Sequence, residues 1–378
     1  MTQAYTHNLA TQFVAGKRLF SPTAWMSLLA AVALLATLPL LNLILSPDHP
    51  LYVTPYAVAL LGKFMCYALA ALALDLVWGY AGILSLGHGL FFALGGYAHG
   101  MYLMRSIATD DANTAALPDF MVFLDWQAYP WFWAFTDHFA YAMLLVVLVP
   151  GALAFLFGYF AFRSRIKGVY FSIITQAMTF AAMLLFFRNE TGFGGNNGFT
   201  GFQRILGYDI TASSTRATLY WITLSMLVGA LVLARAITQS KLGRVLTAVR
   251  DSESRLRFIG YDPLGFKLFV WCTSAVMCGI AGALYVPQVG IINPSEMSTE
   301  NSIEMVIWVA TGGRGTLIGP IIGAGAVNGL KTWFTSVLPE FWLYALGLIF
   351  VLTTLFLPHG IVGLARKLAL RHQRKEAT

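Results

Sequence analysis

Apolar residues run along most of this chain in stretches of about twenty, at 24–45, 53–76, 88–107, 138–162, 168–187, 217–236, 268–290, 316–334 and 341–358. A helix rises about 1.5 Å per residue, so roughly 20 mostly apolar residues cross the ~30 Å hydrocarbon core of a bilayer. The pattern therefore predicts nine membrane-spanning helices. A tenth segment, 303–311, is short and runs into Gly312, Gly313, Arg314 and Gly315. It reads as a broken or re-entrant helix, tolerated in a membrane only where it lines a cavity or packs on protein. The expected fold class is an all-α integral membrane protein, a polytopic bundle of about ten transmembrane or re-entrant helices.

Composition narrows the class further. Only 11% of the 378 residues are charged and 58% are hydrophobic, whereas a soluble domain carries about 25% charged residues. An ordinary soluble enzyme is excluded, and 14% aromatic residues exclude disorder. The net charge of +7 is unevenly placed. Eighteen of the 24 Lys and Arg residues lie before the first span, after the fourth, between 235 and 267, at Arg314 and in the tail, while the intervening loops are acidic. Membrane proteins gather cations on the cytoplasmic side, so both termini are expected there. The imbalance reads as topology plus a docking surface, membrane lipid is among the expected partners, and no nucleic-acid partner is required. The expected organisation is a cytoplasmic leader (1–23), a transmembrane domain (24–365) with an outer loop at 108–137 and a cytoplasmic loop at 237–267, and a basic tail (366–378). The leader is long for a cleaved signal peptide, which favours a retained anchor. Cys66, Cys272 and Cys278 lie in apolar stretches without metal-ligand spacing, which fits packing. No metal site is expected. Trp126, Trp131 and Trp133 in the outer loop read as interfacial anchors or as a partner-docking surface.

The cytoplasmic loop carries the most specific signal. Asp251 is expected to cap a short helix through Ile259, Gly260 occupies the left-handed C-terminal position, and Pro263 forbids continuation. The run Asp251, Ser252, Glu253, Ser254, Arg255, Leu256, Arg257, Phe258, Ile259, Gly260 interleaves apolar residues with guanidinium groups. Such a helix buries an apolar knob in a partner groove, or alternatively rests on anionic lipid. Two Gly-rich segments, 79–97 and 312–329, read either as close helix packing or as unwound stretches along a pathway. Candidate pathway groups are Ser85 and His88 in the first of these, Gln176 in the fifth span, and Asn196 and Asn197 in GFGGNNGFTG. The competing readings are a hydrogen-bonded packing histidine for His88, which weighs more than the pathway reading, a bond between helices for Gln176, and turn chemistry for the two asparagines. Lys63 reads as snorkelling near the outer end of its span and Asp75 as capping the inner boundary. The chain lacks G-x-x-x-x-G-K-[ST], H-E-x-x-H, C-x-x-C and G-x-S-x-G, so neither a P-loop ATPase site nor a catalytic centre is expected.

The segment 79–97, the loop AVRDSESRLRFIGYDPLGFKLFVWCTSAVMCGIAGALY and the segment GGRGTLIGPIIGA occur in one order. Together they resemble the permeases of branched-chain amino-acid and urea ABC importers (LivM/UrtC type) over residues 55–365. The long outer loop at 108–137 and the wording of GYAGILSLGHG and GFGGNNGFTG are most similar to the urea branch. The resemblance implies a multi-pass permease of the bacterial inner membrane. It also implies a homologous second permease, two cytoplasmic ABC ATPase subunits that use ATP and Mg, and a periplasmic solute-binding protein. This chain needs no cofactor of its own. Carried onto this sequence, Asp251 to Gly260 becomes the coupling helix, and the expected solute is urea, with branched-chain amino acids as the alternative. A stand-alone transporter or channel, and a membrane-embedded enzyme or scaffold, are the competing classes.

Overall fold

Caps fix where the first helices begin. Ser21 Oγ accepts the Ala24 N–H and Thr54 Oγ1 the Ala57 N–H, each at 3.2 Å, with proline at the next position. Proline there loses no helical hydrogen bond. The computed structural model describes residues 19, 21–110, 117–356, 360–365 and 367. Most of the expected leader, part of the outer loop (111–116) and nearly all of the basic tail lie outside the described residues.

Within the described residues the helices are α1 (Pro22–Ile44), α2 (Pro55–Ala81), α3 (His88–Asp110), the short α4 (Asp119–Phe123), α5 (Phe139–Arg163) and α6 (Val169–Phe187), followed by α7 (Ser213–Gln239), α8 (Lys241–Phe258), α9 (Pro263–Val289), α10 (Thr299–Gly312), α11 (Ile318–Val337) and α12 (Trp342–Phe356). A helix stands at each of the nine predicted apolar runs and at the expected broken segment. Six of them, α1, α2, α5, α6, α7 and α9, are long and apolar enough to cross a membrane.

Helices α2, α3 and α9 form the centre, with α5, α7, α10 and α11 packed around them. The first Gly-rich segment allows this. A β-carbon on Gly282 of α9 would collide with the Phe92 carbonyl of α3, and one on Gly95 with the Gly279 carbonyl, so the two backbones approach as only small residues permit. Trp271, fully buried, donates from Nε1 to the Ala154 carbonyl of α5 at 2.9 Å. On their outer faces, α5, α6 and α12 expose apolar side chains such as Phe160, Ile173 and Leu355, as lipid-facing helices do.

At the acidic end, strand β1 (Phe199–Thr200) pairs antiparallel with β4 (Ile291–Ile292), and β2 (Arg204–Ile205) with β3 (Tyr208–Asp209). The three outer-loop tryptophans divide. Trp131 is exposed, whereas Trp133 is buried and donates from Nε1 to the Gly192 carbonyl at 3.2 Å. Trp133 therefore packs the loops together.

Candidate functional site

The basic loop forms a built projection. Helix α8 is broken at Ser252, whose backbone is extended (φ −163°, ψ 95°). The expected cap at Asp251 is displaced by one residue: the Asp251 carboxylate is taken by Arg250 Nε at 3.1 Å, and Ser252 makes the turn. The second half ends as the sequence predicts, with Gly260 at φ +92°. Gly260 N–H donates to the Arg257 carbonyl at 3.0 Å and Tyr261 N–H to the Leu256 carbonyl at 3.2 Å, the paired bonds of a Schellman motif. Leu256 faces inward at 5% exposure. Phe258, at 92%, and Ile259, at 67%, stand out from the protein with Tyr261 beside them.

Glu253 holds this projection in place. Its Oε1 accepts from Arg257 Nη2 at 2.8 Å, and its Oε2 accepts from Lys267 Nζ of α9 at 2.8 Å, with Lys167 Nζ 3.6 Å away. Three elements meet on one carboxylate. Burial opposes its charge, but the hydrogen bonds from Lys267 and Arg257 and the nearby cations prevail and bring the carboxyl down to about 2 from its ordinary 4.5. A depressed carboxylate stabilises the fold above its unfolded value, and the contribution is lost as pH falls through the folded value. The interval is worth about 3 kcal/mol. Glu253→Gln is expected to lower the melting temperature of the solubilised protein at pH 7, with the gap to the parent closing as pH falls from about 4.5 toward 2. A gap independent of pH would contradict the assignment.

A chain of contacts leads inward from the projection. Arg250 Nη1 donates to the Gly79 carbonyl at 2.8 Å. At Gly79 a β-carbon would stand 2.7 Å from Gly315 N. One turn back, Asp75 accepts the Gly315 N–H on Oδ1 at 2.6 Å and the Leu317 N–H on Oδ2 at 3.2 Å. Asp75 is fully buried and joins α2 to the connection between α10 and α11.

Three of the five candidate pathway residues, Ser85, His88 and Gln176, make hydrogen bonds within the helical bundle. Buried Ser85 lies in the irregular stretch between α2 and α3, where its Oγ accepts the Gly87 N–H at 3.0 Å. That stretch is pinned to α6: Ser172 Oγ donates to the Leu84 carbonyl at 2.8 Å and Thr175 Oγ1 accepts the Leu86 N–H at 3.1 Å. His88 Nε2 stands 2.8 Å from Ser274 Oγ of α9, which in turn donates to the Ala73 carbonyl of α2, so this histidine joins three helices. Gln176 Nε2 donates to Thr299 Oγ1 at 3.4 Å. Asn196 and Asn197 are exposed in a short turn whose neighbours Gly192, Gly194, Gly195 and Gly198 all have positive φ.

Sequence reasoning singled out Lys63 but not the polar group around it. Glu304 Oε2 of α10 accepts from Lys331 Nζ of α11 at 2.8 Å. Lys63 lies 5.6 Å from the Tyr67 ring centroid and within electrostatic reach of Glu296, Glu304 and Lys331. The signal available was spacing: Glu304, Trp308 and Thr311 recur at i, i+4 and i+7 on one helical face.

Residues 56–357 match the family model described as the branched-chain amino acid transport system / permease component. The high-affinity branched-chain amino acid transport system permease protein LivM of Salmonella typhimurium is 24% identical over 346 residues, covering 86% of this chain and 74% of the relative. LivM of Escherichia coli K12 matches to the same extent. The autoinducer 2 import system permease protein LsrC of Yersinia pestis (strain Pestoides F) is 28% identical over 131 residues, 32% of this chain and 36% of its own length. No solved structure matches. The matched interval includes α9, the loop that precedes it and both Gly-rich segments, and on that extent the chain belongs to the family of branched-chain amino acid transport system permease components.

Proposed function

We propose that this chain is the membrane-spanning permease of an ATP-driven importer and that the projection at 251–260 is its coupling helix. The observation that carries this reading is the anchored projection: Phe258 and Ile259 stand outside a segment fixed to three elements through Glu253. A rigid lever with an apolar tip fits a groove on a cytoplasmic partner, and the partners in this reading are two ABC ATPase subunits. About ten transmembrane or re-entrant helices, cytoplasmic termini and an inner-membrane location accompany it, supported by the placement of the cations. A homologous second permease completes the path, and a periplasmic binding protein delivers the solute. ATP and Mg are used by the ATPases.

Closure of the ATPases displaces the coupling helix as a body, and the contacts through Arg250, Gly79 and Asp75 carry the displacement to the joint of α10 and α11. Such a joint shifts between two discrete packings. For the solute, the names of the two long relatives support branched-chain amino acids, and the urea reading rests on the outer loop at 108–137 and the wording of two Gly-rich stretches. Affinity purification of the tagged chain from membranes is expected to yield two ATP-binding subunits at equal stoichiometry, and a chain recovered alone from active membranes would count against the proposal.

A further inference from the structure

Four buried side-chain atoms on the 14-residue helix α10 have no hydrogen-bond partner: Ser302 Oγ, Glu304 Oε1, Trp308 Nε1 and Thr311 Oγ1. A buried donor or acceptor left without a partner is destabilising. Four on one short helix call for a group that visits them. Ser302 points the other way, toward Gly89 of α3. The remaining three share one face, and Glu304 to Thr311 extends about 10 Å along the axis.

What faces this stripe is polar and aromatic. Trp308 lies against Tyr67 of α2 at 4.8 Å between centroids. Lys63, one turn before Tyr67, stands beside its ring, and Lys331 holds the other oxygen of Glu304. The face therefore offers a carboxylate oxygen that accepts, an indole N–H that donates, a hydroxyl that does either, and flat ring surface beside Lys63. Its far end approaches the joint that Asp75 fixes, so it runs from the level of Lys63 toward the point where the coupling contacts arrive.

On the reading of this chain as a permease, we infer that Glu304, Trp308 and Thr311, with Tyr67, Lys63 and Lys331, form a recognition station for a small solute that carries N–H donors and an oxygen acceptor close together. Glu304 Oε1 takes the N–H, Trp308 Nε1 donates to the solute oxygen, and Thr311 receives the solute as it moves inward. The head group of an α-amino acid and urea both have this chemistry.

The test uses the complete importer in proteoliposomes, with radiolabelled leucine in one arm and radiolabelled urea in the other, at saturating loaded binding protein. Trp308→Phe keeps the ring and loses the N–H, Thr311→Val keeps the shape and loses the hydroxyl, and Glu304→Gln loses the charge. Each is expected to lower solute moved per ATP hydrolysed at least 10-fold while the subunits still assemble, and Thr311→Ser is expected to restore it. The arm in which the loss appears identifies the solute. Assembled variants that all transport at the parental ratio would overturn the station and leave the permease reading intact. A parent complex that moves neither solute with ATP would overturn both.

Discussion

Replacing Phe258 with Asp is expected to detach the ATPase subunits from an otherwise intact membrane chain. Phe258 is 92% exposed in the protein alone, so folding does not depend on it. A central aromatic anchor in an interface contributes about 2 kcal/mol or more when truncated, which corresponds to about 30-fold in affinity. Phe258→Ala should weaken ATPase retention by that factor, and Phe258→Asp by more, because a carboxylate would be buried in an apolar groove. Thermal melting of the chain itself should stay unchanged. The check is the amount of ATPase recovered per permease after detergent extraction, together with ATP-driven uptake. Full retention with Phe258→Asp would remove the projection from the coupling role.

The second large effect is expected inside the bundle. Asp75→Ala leaves the N–H groups of Gly315 and Leu317 without their acceptor in a fully buried position. At about 1–3 kcal/mol for each, and because the joint of α10 and α11 is built on these two bonds, little folded chain should survive extraction. Asp75→Asn retains one acceptor oxygen and should fall between the two. Size-exclusion profiles after graded heating measure this directly, and a parental profile for Asp75→Ala would show that Asp75 does not hold the joint.

Much of the helical frame was legible because its signal is local. The apolar runs at 24–45, 138–162 and 168–187 lie within a residue or two of α1, α5 and α6, since length and composition suffice for a lipid-facing helix. Helices α3 and α11 are less apolar, and several of their glycines are explained only by the backbones they approach, such as Gly279 against Gly95 and Trp308 against Gly323. In the segment 251–260 the Gly260 stop was legible from residue type. The break was expected one residue early because sequence does not reveal that Arg250 takes the Asp251 carboxylate. Leu256 and Phe258 look equally apolar in sequence, and the fold alone turns one inward and the other outward.

The interior polar groups were the least legible. His88 and Ser274 are 186 positions apart, and Asp75 lies 240 from Gly315, so only tertiary packing joins them. Glu253 appeared in sequence as one charge among several in a basic loop. Its contacts to Lys167, Arg257 and Lys267 show why an acid stands there. The stripe on α10 has a visible period, yet its meaning depends on Tyr67 and Lys331, which belong to other helices.

The most direct measurement of the central claim is solute uptake into proteoliposomes that contain either this chain alone or the full set of two permeases, two ATPases and binding protein. Leucine uptake should require the complete set and hydrolysable ATP, and the chain alone should be silent. Uptake by this chain alone, down a gradient and without ATP, would contradict the account.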